Sequence, residues 1–418
     1  VFKGTLASQS AIAVKNTAAS GGGNFGFFSN LTLNDLGDAG FQSQIGSNPG
    51  HFLDTGAGAT VSAIRGGVAP TGGGETYNAL QKPALTSGGE LLTPANLKLG
   101  SGAGPVTYLD DTLISGSAGT VLVREGDPTS IPATSYGHLQ GRVVASEDND
   151  HYAYSAFLLE DAGVDPTDNT PLFAGVMGGG APAAILRAGD PAPSVPNATI
   201  SQFLGEAINS SGDLAIRCNL VGPGINSKNN EALYTNTGGS LVLVAREGDV
   251  TPCLPNDLAA FSRVSKFYMG DDGSVCFQAY LKDAGATPAV NSANDGSLWR
   301  WKDGELNLIA REGEFGNNTD SGIIRAITSF ACSGAGGMTF QVTYLPGVGD
   351  ATTSNNLGVY LDRGAADLVP ELILRRGDSF DMGETTRTVV GIKVSSESNP
   401  GGGTGGYGRT INDAGGVL

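Results

Sequence analysis

Val244-Ala245-Arg246-Glu247-Gly248-Asp249 is an apolar strand running into an Arg-x-Gly-Asp turn, and it has copies along the chain. The pattern returns as Leu122-Val123-Arg124-Glu125-Gly126-Asp127, Ile185-Leu186-Arg187-Ala188-Gly189-Asp190, Ile309-Ala310-Arg311-Glu312-Gly313-Glu314 and Leu374-Arg375-Arg376-Gly377-Asp378. Weaker copies, Ala63-Ile64-Arg65-Gly66-Gly67 and Ala13-Val14-Lys15-Asn16, bring the number to seven. Their basic residues, at 15, 65, 124, 187, 246, 311 and 375, stand 50 to 65 residues apart. Joining the C-terminus to the N-terminus adds a gap of 58, in line with the others. A linear solenoid has no reason to meet that condition, whereas a ring does.

Two further signatures keep step with the first. A polar turn with Gly comes four residues before a large side chain and eight before another apolar one, as in Gly37/Phe41/Ile45, Gly212/Ile216/Leu220, Gly273/Phe277/Leu281 and Gly336/Phe340/Tyr344. Looser copies are Gly89/Thr93/Leu97 and Asp150/Tyr154/Leu158. An aliphatic–aromatic pair precedes the Arg: Leu172-Phe173, Leu233-Tyr234, Leu298-Trp299 and Val359-Tyr360. Short runs of β-branched and aromatic residues between Asn/Asp/Gly/Pro turns read as four strands per repeat. In the fourth unit these are 200–203, 213–220, 232–235 and 240–246. Four strands in each of seven repeats predict an all-β chain, a single seven-bladed β-propeller over 1–418. The blades fall at about 19–66, 76–126, 136–189, 199–248, 258–313, 323–377, and 387–418 plus 1–16.

The last blade is split between the termini. Gly416-Val417-Leu418 begins a strand that Val1-Phe2 continues, and Gly416, Phe2 and Leu6 keep the four-residue spacing across the junction. Unpaired strand edges are costly when buried. Val1, Phe2, Leu6, Gly416, Val417 and Leu418 are therefore expected to close the ring, or to pair with a second copy and build a polymer.

With 65 Gly and 20 Pro in 418 residues the chain is turn-rich, and 39% hydrophobic residues suffice for a core. Forty-one acidic against 24 basic residues give a net charge of −17, which opposes nucleic acid and anionic membranes. No apolar run reaches the length of a membrane helix. A start at Val1 is what an exported chain shows after its signal peptide is removed, so an extracellular or cell-surface location is expected.

Chemistry-bearing residues are sparse. His51, His138 and His151 lack metal-ligand spacing in the sequence, and Gly21/Gly23/Gly26 and Gly401/Gly403/Gly406 do not open helices, so dinucleotide binding has no support. Arg376-Gly377-Asp378 spells an adhesion tripeptide but reads as one more copy of the turn, with Gly and Asp shaping it and the Arg pairing with turn carboxylates of an adjacent blade. The acidic turns Glu147-Asp148-Asn149-Asp150 and Asp271-Asp272 are the candidates for calcium. Trp299 sits at the core position of its repeat, and Trp301 is the candidate stacking platform for a glycan. Of the three pairings open to four cysteines, strand direction favours Cys218–Cys253 and Cys276–Cys332, with separate buried thiols as the alternative.

The turn and strand-end signatures, on Asn209/Gly212/Ile216, Asn34/Gly37/Phe41 and Gly273/Phe277, resemble the secreted bacterial tandem-repeat proteins whose repeat is written Asn-x-x-Gly-x-x-Ala-Phe. The resemblance implies an exported or surface-attached propeller-like protein with no defined activity and no catalytic residues. A non-catalytic structural or assembly module is expected, a filament or surface-layer subunit whose partner is itself. The alternatives are a glycan- or calcium-binding propeller and a propeller hydrolase or lyase.

Overall fold

The computed structural model describes residues 2–5, 8–34, 36–146, 148–159, 169–251, 258–285, 289–316, 322–364, 369–381, 385–392 and 394, with side chains from Ala11 onward. Among them the only helical element is a single turn of 3-10 helix, Thr237–Gly239; the rest is strand and loop. The chain divides into two compact units. One holds residues up to 190 together with 199–212, and the other holds 191–198 and 213 onward.

The first unit contains a two-stranded hairpin, Phe2–Thr5 with Ser8–Ala11, and three larger antiparallel sheets. One is Phe25–Leu33, Ala39–Ile45, Asn48–Asp54 and Thr60–Ile64 in sequence order. In the next, Leu91–Leu97, Thr112–Ser115 and Val121–Arg124 follow a first strand split into Tyr77–Leu80 and Ala84–Leu85. In the third, His151–Leu158, Pro171–Val176 and Ala183–Arg187 follow the pieces Tyr136–Leu139 and Val144–Ala145. Thr199–Ile208 also belongs to this unit.

The second unit holds two complete four-stranded sheets. These are Ala259–Met269, Val275–Asp283, Gly296–Lys302, Glu305–Arg311, and Ile324–Cys332, Met338–Tyr344, Leu357–Asp362, Glu371–Arg375. Leu214–Val221, Glu231–Thr235 and Val242–Arg246 precede them. The sequence places these last three within two residues at each end but makes the first strand of that repeat too short. The unsplit first strands Phe25–Leu33, Thr199–Ile208, Ala259–Met269 and Ile324–Cys332 reach 9 to 11 residues, and two register shifts let Ala259–Met269 and Ile324–Cys332 bend and carry on.

The sequence signatures meet in the middle of each sheet. The large residue after the polar turn and the aromatic of the third signature are cross-strand partners: Tyr154 with Phe173, Ile216 with Tyr234, Phe277 with Trp299 and Phe340 with Tyr360, and Phe52, outside that signature, pairs with Phe41 in the same way. All ten are fully buried. Phe340 and Tyr360 stack at 5.3 Å, and Tyr154 and Phe173 at 5.5 Å. Each such side chain contributes about 1.5–3 kcal/mol by leaving water, and stacking adds about 0.5–1.5 kcal/mol per pair.

The strand-end turn joins one repeat to the next by two backbone bonds. The N–H of Gly248 donates to the Phe261 carbonyl, and Phe261 N–H donates to the Asp249 carbonyl. The same exchange links Asn16 and Thr17 to Phe25, Gly66 and Gly67 to Tyr77, Gly126 and Asp127 to Tyr136, Gly189 and Asp190 to Ile200, Gly313 and Glu314 to Ile324, and Gly377 and Asp378 to Val389. Asp carboxylates close the turn on the Arg N–H at Asp127, Asp190 and Asp378.

The Arg does not do what the sequence suggests. Its Nε donates to a backbone carbonyl of its own repeat: Arg246 to Asn229, Arg311 to Asn294, Arg375 to Asn355, Arg124 to Asp110. Each carbonyl belongs to a loop whose Asn or Asp side chain folds back onto the N–H three residues earlier, as Asn229 does to Asn226, Asn294 to Asn291 and Asn355 to Thr352. Side-chain acceptors that recreate a backbone turn fix such a loop, and a guanidinium on the adjacent strand reaches it before it could reach a neighbouring repeat.

Candidate functional site

One cluster among the described residues combines metal-ligating types: Asp111, Glu125 and His138, whose donor atoms all lie within 4.8 Å of one another. Asp111 precedes the strand Thr112–Ser115, Glu125 follows Val121–Arg124, and His138 lies on Tyr136–Leu139 of the next sheet. Glu125 is buried, and one of its oxygens accepts from the N–H and hydroxyl of Thr112. Burial, reinforced by a hydrogen bond to Asp111, pushes the Glu125 carboxyl up to about 7. His138 also lines a cavity of about 90 Å³ with Gln81, Asn96, Thr112 and Gln140. Two carboxylates in contact need a proton or a cation between them, and donors this close can converge on an ion held at about 2.0–2.2 Å. Sequence spacing could not reveal this group, since its members come together only by strand pairing and sheet neighbourhood.

The acidic turns proposed for calcium have other work. Asp150 accepts from Ser87 Oγ at 2.8 Å and Gly88 N–H at 2.7 Å. Burial raises its carboxyl, but the bonds from Gly88, Ser87 and Thr86 outweigh that and hold it below the ordinary value. Asp148 N–H donates to Ser210 Oγ, and Asn149 to the Ser210 carbonyl. Asp272 pairs with Lys302 at 2.6 Å, and its N–H donates to the Gly334 carbonyl. Asn34 likewise donates to the carbonyls of Thr86 and Ser87. The polar turns thus bond to the polar turns of neighbouring repeats. Asp271 lies in the same turn as Asp272, and Glu147 lies outside the described residues.

Trp301 is 6% exposed and packs in the sheet with Trp299, so the exposed platform expected of it is not there. Its strand Gly296–Lys302 is buried along almost its whole length, and on the opposite face the adjacent Arg300 pairs with buried Asp362. Of the cysteines, Cys276 and Cys332 come together, Cys218 is buried, and Cys253 lies outside the described residues. Of the ring-closure residues, Phe2 lies in a strand Phe2–Thr5 paired with Ser8–Ala11; Val1, Leu6, Gly416, Val417 and Leu418 lie outside the described residues.

Among solved structures the chain is similar to Pyrococcus horikoshii acylaminoacyl peptidase, at 10% identity and a TM-score of 0.42, over 86% of this chain and 49% of that one. It is similar to prolyl oligopeptidase B from Galerina marginata at 9% identity and a TM-score of 0.33, over 86% and 54%. It is similar to a functionally unknown protein from Desulfotomaculum acetoxidans at 9% identity and a TM-score of 0.32, over 85% and 86%. The chain spans about half the length of the two peptidases. No curated protein matches it by sequence. Residues 3–418 match a single family throughout, and the chain belongs to that family of unknown function, DUF7453.

Proposed function

We propose that the chain is a seven-bladed β-propeller, closed through its split terminal blade, that serves as a non-catalytic exported structural or assembly module. The observation that supports this best is the two-bond link between consecutive repeats, present from Asn16–Phe25 to Gly377–Val389. Seven equal joints suit a ring, and the signature polar groups are committed to holding sheets together. With a net charge of −17, copies repel one another, so self-association would rest on strand pairing and apolar contact, and added salt would not dissolve it. Deleting residues 1–6 tests this. The variant is expected to lose thermal stability in its main cooperative transition and to lose any polymers visible by electron microscopy. Unchanged melting and assembly would sink the closure.

A second reading, a divalent-cation-binding propeller, is favoured by Asp111, Glu125 and His138. A histidine among the donors suits a transition metal better than calcium, which prefers oxygen throughout. The repeat supplies its own control: Asp295 and Glu312 occupy the positions of Asp111 and Glu125, and the third position is Ala326. Calorimetric titration with zinc should show one site that His138→Ala removes. Equal binding by that variant would rule the cluster out.

A further inference from the structure

We propose that Cys276 and Cys332 form a disulfide that staples two neighbouring four-stranded sheets. Cys276 stands on Val275–Asp283 and Cys332 ends Ile324–Cys332, so the two belong to different sheets of the same compact unit. Both sulfurs are buried, and the structure holds them as thiols, Cys332 donating to Cys276 at 2.9 Å. That is closer than the roughly 3.5–4.0 Å of ordinary non-bonded heavy-atom contact. The two share one apolar cluster with Tyr268, Phe330 and Met338, which fixes both strands and leaves the sulfurs facing each other. Their weak S–H donors also meet backbone carbonyls, Gly336 for Cys276 and Ser333 for Cys332. Cys218 has no such neighbour in this cluster, and burial pushes its thiol up to about 12, which suppresses the thiolate.

Formation needs an oxidant of the disulfide class, such as oxidised glutathione or a dithiol oxidase. One cysteine, as thiolate, attacks the disulfide sulfur and releases one thiol. The second then attacks the mixed disulfide and releases the other. Each cysteine loses a proton, the new S–S bond forms, and the two electrons reduce the oxidant to two thiols. Because both sulfurs are buried, exchange happens while the chain folds, in an oxidising compartment. The proposal rests on this geometry and not on the assembly reading.

The full chain, exported to a bacterial periplasm and never exposed to reductant, is alkylated in denaturant and digested with trypsin. The expected product is a reductant-sensitive species joining Phe267–Lys282 to Ala326–Arg363. A double Cys276→Ala, Cys332→Ala variant should lose both this species and the fall in thermal midpoint that reductant causes in the parent. Recovery of both peptides with alkylated thiols, or a bridge from either cysteine to Cys218 or Cys253, would overturn the proposal. A parent that assembles normally with both thiols free would refute the staple and leave the assembly reading untouched.

Discussion

Glu312 reaches from the end of one sheet to the next and accepts the backbone N–H of Ile327 at 3.0 Å. Ile327 sits at a register shift of its strand, where a backbone group lacks its ladder partner. Its carbonyl is met from the same neighbouring sheet by Gln278 Nε2 at 3.3 Å. Val264, at the corresponding shift one repeat earlier, is held in the same way: its N–H donates to Glu231 Oε1 and its carbonyl accepts from Arg217 Nη1, both at 2.7 Å. The chemistry recurs with different side chains. A carboxylate takes the N–H and a cationic or amide group gives to the carbonyl, so the irregularity that lets a first strand bend is also where consecutive sheets are fastened.

Removing that carboxylate should be felt. Glu312 also accepts the N–H of Gly296 at 3.1 Å, so Glu312→Ala leaves two buried donors without partners. Each orphaned group costs about 1–3 kcal/mol. Glu312→Gln keeps an acceptor oxygen and should cost much less. Urea unfolding of the three proteins provides the comparison, and equal midpoints for Ala and Gln would mean that the clasp carries no energy.

The turn glycines divide by what surrounds them. Gly313 has φ +83°, and a Cβ there would meet Asn294 Cβ at 2.8 Å, on the loop that Arg311 pins. Gly304 has φ +88° with nothing within 4 Å. Gly304→Ala should cost only the left-handed conformation, about 1–2 kcal/mol. Gly313→Ala must add the displacement of the Asn294 loop, so its thermal midpoint should fall further. Equal losses would show that the loop yields freely.

Much of this was legible beforehand. Strand-end turns, polar turns and central aromatic pairs recur at intervals that fix their positions, because each performs a local task with a fixed side-chain requirement. What escaped was set by partners distant in sequence. The destination of Arg246 depends on where the 226–229 loop lies. The first strands that run long carry register shifts, whose positions composition does not encode. Trp301 is buried between Val275 and Leu306, its cross-strand partners on the two neighbouring strands. Asn229, Asn294 and Asn355 did carry a readable signal, each standing two residues before the strand that bears the aromatic pair.

The Arg300–Asp362 pair yields a sharper forecast. Both side chains are buried, and Asp362 is raised by burial while Arg300 pulls it back. Breaking a buried pair from one side typically costs about 3–5 kcal/mol, whereas replacing both members with apolar residues can be close to neutral. Arg300→Met should therefore destabilise strongly, and Arg300→Met with Asp362→Leu should recover most of the loss. A double variant no better than the single one would show that Arg300 is needed for its other contacts.

His51 gives the pH dependence its sign. It is fully buried with Nδ1 3.0 Å from Thr93 Oγ1, and burial, only partly offset by the influence of the Gln81 backbone, lowers the imidazole to about 3. In the unfolded chain it titrates near the ordinary value of about 6.5. Above that value both states are neutral and His51 contributes no pH dependence. As the pH falls below it, the unfolded chain gains a proton that the folded chain refuses, so stability drops until the folded value is reached. The slope approaches about 1.4 kcal/mol per pH unit, which gives about 2 kcal/mol lost by pH 5. His51→Gln removes the titrating group. It should be less stable than the parent at pH 7 but should lose less between pH 7 and pH 5, and urea midpoints at the two values supply the difference. If parent and variant fall in parallel, the acid sensitivity lies elsewhere, and the proton on His51 is accommodated without opening the sheet.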